Sequence, residues 1–325
     1  MDPREPPRKR RAERRATGNA VSDGEQAMDC WSALPSVALG QVFGHLGMMD
    51  VVSAGQTCRS WRATAKQPAV WKGRALLYSW VYEDLVSMDL PRSYSLRHRN
   101  AREFVRIVRF APRLRWLKTA DVMLPVARKA LTHSKLKVFG LGLNGRLAWS
   151  AKLLAQKQDG LEQVTLRNPD VACLLAALRC RDMLSLYLEF SRDEKYSCPV
   201  LLPSVAVQRE KPLKALITDG GEFPEAVSML VERFADTLEQ LHVSCLPSSA
   251  ALSRCTRLRT LGVNPDPGSA QDRSELLAAL RGKRLRFIGF KGVNEWVQHS
   301  KEDCLAFREE LKQFVWEGVY CKQCA

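Results

Sequence analysis

"LRWLKT" at Leu114–Thr119 and "LEQVTL" at Leu161–Leu166 are copies of one six-residue phrase, L-x-x-L-x-L with substitutions, and the spacing of its copies decides the fold. The phrase returns as "LKVFGL" from Leu136, "MLSLYL" from Met183, "LKALIT" from Leu213, "LEQLHV" from Leu238, "LRTLGV" from Leu258 and "LRFIGF" from Leu285, with starts 22, 25, 22, 30, 25, 20 and 27 residues apart. Alternating apolar positions at this length read as a half-buried strand. Each copy is followed by a stretch with helical periodicity, such as "VARKALTHS", "SAKLLAQKQDG", "VACLLAALRCRD", "EAVSMLVERFADT" and "SELLAALRGK". A strand and helix repeating at this period can hide their apolar faces only by stacking on the next copy. The expected class is therefore α/β, with a parallel inner sheet and outer helices.

The phrase and its period are similar to those of leucine-rich repeats, over residues 113–300. That resemblance implies a horseshoe. Regular members place an Asn at each turn; here it falls in place once, as Asn144, so the repeats are degenerate. In such strands the leucines point inward and the residues between them line the concave face. The alternation puts Trp116, Lys118, Arg167, Tyr187, Glu189, Asp219, His242, Asn264, Phe287 and Lys291 there as candidate substrate-binding residues, although any inner sheet must expose something. "GLGLNG" from Gly140 to Gly145 matches a dinucleotide-binding fingerprint, but the repeat register puts Gly140 and Gly142 on the concave face and no doubly wound sheet follows.

Upstream, "WSALPSVALGQVFGHLGMMDVVSAGQTCRSWRATAKQPAVW" (Trp31–Trp71) packs much apolar surface into a short stretch. Leu39, Val42, Phe43 and Leu46 fall at i, i+3, i+4 and i+7 on a helix that starts near Pro35 and stops at Gly47. Asp50 offers an N-cap for a second helix with Val51, Val52 and Ala54, and a third carries Cys58, Trp61 and Ala65 before Pro68. Three short helices in so few residues cannot bury all their apolar surface among themselves, so some of it is expected to meet something else.

The order Trp31, Leu34-Pro35, Val37, Leu39, Val42-Phe43, Leu46, Asp50-Val51, Cys58-Arg59, Trp61 and Trp71 resembles the F-box, with Ser36 where the family carries an acidic residue. The resemblance implies binding of the Skp adaptor and, through it, the cullin and RING subunits of a ubiquitin ligase. It makes Trp31, Leu34, Pro35, Leu39, Val42, Phe43 and Leu46 the candidates for adaptor contact or its support, and assigns Cys58, Trp61 and Trp71 to the core.

The 325-residue chain carries a net charge of +15, unevenly placed. Residues 1–20 hold Arg4, Arg8, Lys9, Arg10, Arg11, Arg14 and Arg15, and read either as an exposed nuclear-import strip or as a solvated tail. Arg99, Arg102, Arg106, Arg109 and Arg113 recur at helical steps as one guanidinium stripe, either a grip for an acidic or phosphorylated partner or a solvated face. Ten cysteines, most of them in apolar segments, favour a reducing compartment; Cys321 and Cys324 have ligand spacing without the further ligands zinc needs. No apolar run is long enough to span a bilayer, and catalytic motifs are absent, with His45, His98, His133, His242 and His299 showing no ligand spacing.

The expected organisation is a disordered basic arm (1–28), an F-box (29–72), a helical linker with the Arg stripe (73–112), the repeat array (113–300), and a capping helix and tail (301–325). The expected role is a non-catalytic substrate receptor of the nucleus and cytoplasm. It needs no cofactor or metal, and its partners are the adaptor complex and a protein substrate, not membrane or nucleic acid. A nucleic-acid or acidic-partner binder using the arm and the stripe, or an F-box protein acting outside a ligase, are the alternatives.

Overall fold

The structure, a computed structural model, describes residues 34–78, 93–96, 100–119, 124–190, 211–220, 223–263, 269–290 and 301–321. The basic arm, Trp31, Arg99, Asn264, Lys291 and Cys324 lie outside the described residues.

Four helices open the described chain: α1 (Ser36–His45), α2 (Met48–Ala54), α3 (Arg59–Ala65) and α4 (Pro68–Trp71). Pro35 caps α1, where its missing N–H costs nothing. The second helix begins at Met48 with Gly47 as its cap, so Asp50 sits inside the first turn rather than capping it. Its carboxylate still favours that end of the helix dipole.

Among the described residues, eleven strands form one sheet, every neighbouring pair parallel, in the order β11-β10-β9-β8-β7-β6-β5-β4-β3-β1-β2. The eight phrases lie on β3 (Arg113–Thr119), β4 (Lys137–Asn144), β5 (Gln163–Arg167), β6 (Ser185–Phe190), β7 (Ala215–Gly220), β8 (Gln240–His242), β9 (Thr260–Val263) and β10 (Leu285–Phe290). Each strand pairs with the next copy in sequence, as a stacked array requires.

The register corrects one phrase. Leu117 aligns with Leu141 and Leu141 with Val164, so the second copy begins at Val138, not Leu136, and the first three starts lie 24 and 23 residues apart. Asn144 thereby leaves the turn position and falls opposite Arg167 at the end of the strand, where its side chain accepts from Arg146 N at 2.9 Å.

Three strands were not anticipated. β1 (Ala75–Tyr78) and β2 (Ser93–Leu96) occupy the expected linker, whose one described helix is α5 (Ala101–Phe110). β11 (Val315–Cys321) occupies the expected tail. "ALLY" in β1 is a run buried on both faces, which periodicity cannot tell from helix. In β11 the alternation is confined to Val319 and Cys321 at its end.

An aliphatic row runs across one face of the sheet. Leu76, Leu117, Leu141, Val164, Leu186, Leu216, Leu241, Leu261, Ile288 and Val319 form a single row across ten strands, all buried. Against it pack α5, α6 (Pro125–His133), α7 (Ala148–Lys157), α8 (Val171–Leu178), α9 (Pro224–Phe234), α10 (Ser249–Arg254), α11 (Ala270–Leu280) and α12 (Lys301–Leu311). Burying each such leucine contributes about 2 kcal/mol. Lysines tie successive copies together: Lys157 Nζ donates to the carbonyls of Ser134 (2.6 Å) and Leu136 (3.1 Å) beyond α6, and Lys283 Nζ to those of Ser253 (2.8 Å) and Cys255 (2.9 Å) at the end of α10. Burial holds both ammonium pKa values below the usual lysine range.

Candidate functional site

The candidate residues lie on two surfaces, the outer side of α1 and the face of the sheet that no described helix covers.

The helical end shares one continuous core with the sheet. Leu39 and Phe43 are buried, so they act as support; Phe43 meets Trp61 edge-to-face at 5.5 Å. Trp71 is sealed in, donating through Nε1 to Ala65 O at 2.7 Å and packing on Phe110 of α5 at 6.3 Å. Gly55 completes the seam, because a Cβ there would collide with the Phe110 ring. Much of the surplus apolar surface of the short helices is thus covered by this chain's own α5.

What stays outside is Pro35, Val37 (72% exposed) and Val42 (47%), flanked by the half-buried Leu34 and Leu46. Val37 was not among the expected contact residues, although its place two residues after the Leu-Pro turn could have marked it. Cys58, expected in the core, is exposed and caps α3, its sulfur accepting from Trp61 N at 3.5 Å.

A residue that no apolar pattern could single out holds this end to the sheet. Arg74, only 1% exposed, donates to Val70 O (2.7 Å), Leu46 O (2.9 Å) and Phe43 O (2.8 Å), and its own carbonyl accepts from Arg115 N at 2.9 Å in β3. Its guanidinium satisfies the carbonyls that α1 and α4 leave at their ends.

Residues 31–76 match the F-box-like family. The F-box-like domain thus ends inside β1, just past Arg74, and the rest of the chain lies outside the match. No curated protein gives a significant match to the chain.

On the sheet, the register places Trp116, Lys118, Arg167, Tyr187, Glu189, Asp219, His242 and Phe287 on the face opposite the leucine row. Glycines shape this face. The Trp116 indole lies across Gly140, the Lys118 stem across Gly142 and the His242 ring across Gly262, each where a Cβ would intrude. Gly145 is needed for a fourth contact, since a Cβ there would strike Pro169. The three glycines of "GLGLNG" therefore serve the packing of neighbouring strands, with no phosphate implied.

The charged residues gather at the strand ends. Lys118 Nζ reaches over β4 and β5 to Glu189 Oε1 at 3.9 Å, and Tyr187 Oη donates to Asp219 Oδ2 at 3.1 Å. Burial, and then the Asp219 and Glu189 charges beside it, push the Tyr187 hydroxyl well above the usual tyrosine range, so it stays a donor. Trp116, 7% exposed, has its indole N–H buried and unbonded among the described residues. The arrangement offers donors, acceptors and rings but no nucleophile aligned with a base.

Cys321 is a buried strand residue, and among the described residues no three His, Cys, Asp or Glu side chains gather as a metal site. Burial holds the Cys173 thiol up at about 12 and the Cys255 thiol at about 11, which keeps both protonated and unreactive. No described helix is long and apolar enough to cross a membrane.

Proposed function

We propose that the chain is a substrate-recognition subunit of a Skp-cullin-F-box ubiquitin ligase. The match at residues 31–76 carries the reading, and the exposed strip of Pro35, Val37 and Val42 beside Leu34 supports it as the adaptor-docking face. In this reading the sheet is a degenerate leucine-rich-repeat horseshoe whose open face holds a protein substrate, with Trp116, Tyr187, His242 and Phe287 as its rings. Chemistry is supplied by a ubiquitin-conjugating enzyme recruited through cullin and RING subunits, so proximity is this chain's contribution and it needs no catalytic residue or cofactor. The basic arm serves import, giving a nuclear and cytoplasmic protein.

The test is capture of the adaptor by tagged full-length protein, compared with the Leu34→Ala/Pro35→Ala form. Loss of adaptor and cullin from a variant that melts like the wild type is the expected outcome. Equal capture by both would sink the docking face, and absence of adaptor from the wild type would sink the ligase reading itself.

A further inference from the structure

Where the F-box-like helices meet the first repeats, two pockets are lined by cations, with no carboxylate among their described lining residues. One pocket of about 260 Å³ is bordered by Arg62, Lys66, Arg106 and Arg109 over a floor of Val52 and Phe110. A second, of about 640 Å³, shares Lys66, Arg109 and Phe110 and continues past Arg113 to Lys135, just before β4, and Lys137 at its start. The two make one cleft. Its cations come from four elements: α3 and its C-cap, α5, the start of β3, and the junction of α6 with β4. The arginine stripe read from the sequence supplies only part of it, and Arg102 of that stripe lies outside both pockets.

We propose that this cleft binds a phosphorylated peptide segment. Several cations elsewhere on the described surface do face acids: Lys211 with Glu162 and Asp182, Lys214 with Glu239, Arg286 with Glu317. Here none of the seven has a carboxylate partner among the described residues, in a chain with 35 Asp and Glu to spend. Like charges held this close repel one another, and a bound anion relieves that repulsion.

Several of the side chains are also held in place before any ligand arrives. Arg62 Nε donates to Gly55 O at 3.2 Å, Arg106 Nη2 to Gln56 Oε1 at 3.0 Å, and Arg113 Nε to Pro68 O at 3.2 Å. Each of these contacts uses one N–H and leaves the rest of the fork to donate to phosphate oxygens in pairs. The floor of Val52, Val108, Phe110 and Leu136 suits an apolar side chain next to the phosphate.

A peptide fits better than a nucleic acid. The cleft is short, and its one large aromatic side chain, Phe110, is half-buried with the Lys66 ammonium 5.7 Å from its centre, leaving no platform for bases. The inference goes beyond adaptor docking, which is proposed for Pro35, Val37 and Val42, none of them lining either pocket, and does not depend on it.

The experiment is fluorescence anisotropy with full-length protein and three labelled probes: a peptide with two phosphoserines and a neighbouring leucine, its unphosphorylated twin, and oligouridine RNA of about the same charge. The phosphopeptide should bind at least about 10-fold tighter than its twin, and Arg106→Glu/Arg109→Glu should remove most of that difference, while Arg102→Glu on the same helix leaves it in place. Thermal melts check folding, and Lys66→Gln/Arg109→Gln repeats the test with a smaller loss if the reversal does not fold. Equal binding of the two peptides, equal effects at Arg102 and at Arg106/Arg109, or tighter binding of the RNA would each overturn the proposal.

Discussion

The helical end and the sheet solve the same burial problem in opposite ways. The sheet buries leucines through repetition, each copy covering the next. The F-box-like end has no second copy to lean on. It relies on particular contacts, with Trp71 against Phe110, Gly55 beneath that ring, and Arg74 threaded into the carbonyls of two helix ends. The F-box-like match covers the irregular end and stops inside the first strand of the sheet. The lesson is that idiosyncratic packing leaves a specific sequence signature, whereas aliphatic repetition can be met by many sequences.

Replacing the guanidinium at the junction should break this contrast most severely. Arg74→Met keeps much of the volume but strands the carbonyls of Phe43, Leu46 and Val70 in a dry interior. A loss of about 3 kcal/mol or more is expected in urea denaturation. Pro35→Ala, at an exposed position on the same domain, should cost less than about 0.5 kcal/mol. If Arg74→Met unfolds no more easily than Pro35→Ala, the helical end does not depend on this one side chain.

The open face of the sheet should respond to a smaller intrusion. Gly140→Val puts branched carbons where the Trp116 indole lies, so the ring must lift from β4 or the strands must part. Overpacking of this kind costs about 1–3 kcal/mol. Lifting the ring exposes it, and the indole emission of the folded protein should shift to the red. Unchanged emission and stability would mean that Trp116 does not rest on Gly140.

How far the sequence could be read follows the same division. Eight strands, their parallel pairing and the strand face that Trp116, Lys118, Arg167, Tyr187, Glu189, Asp219, His242 and Phe287 take were legible, because period-two alternation fixes which way a side chain points. Phrase boundaries were less so: in "LKVFGLGL" Leu136, Val138, Leu141 and Leu143 admit two registers, and only the pairing of Leu141 with Leu117 and Val164 selects one. At the helical end, the surplus of apolar surface was legible but its destination was not. Part of it faces α5, since Phe104, Ile107 and Phe110 lie on a helix whose amphipathic pattern gives no clue to its neighbour. Arg74 was invisible, because a lone arginine in a sequence reads as surface. The anion cleft was half visible, as a stripe on one helix, because its other cations arrive from segments that only folding brings near.

The finest test of the uncovered face concerns Tyr187. Its hydroxyl donates to Asp219 while Glu189 stands nearby, so ionising it inside the fold would bring a third negative charge into a partly buried cluster. The folded pKa therefore lies above the ordinary value of 10.0 that applies in the unfolded chain. Below pH 10 both states keep the proton and the stabilisation is fully present. Above it the unfolded chain releases the proton first, so stability falls as pH rises toward the folded pKa. Tyr187→Phe should cost about 1 kcal/mol at neutral pH from the lost hydrogen bond. That gap should narrow above pH 10, because the phenylalanine form has nothing to release there. Other titrating groups, including the buried Tyr78, are common to both proteins and cancel in the difference. A gap between the two denaturation curves that stays constant from pH 8 to pH 11 would mean the hydroxyl is not held by Asp219, and that the charged end of the open face is more loosely built than its glycine-seated rings.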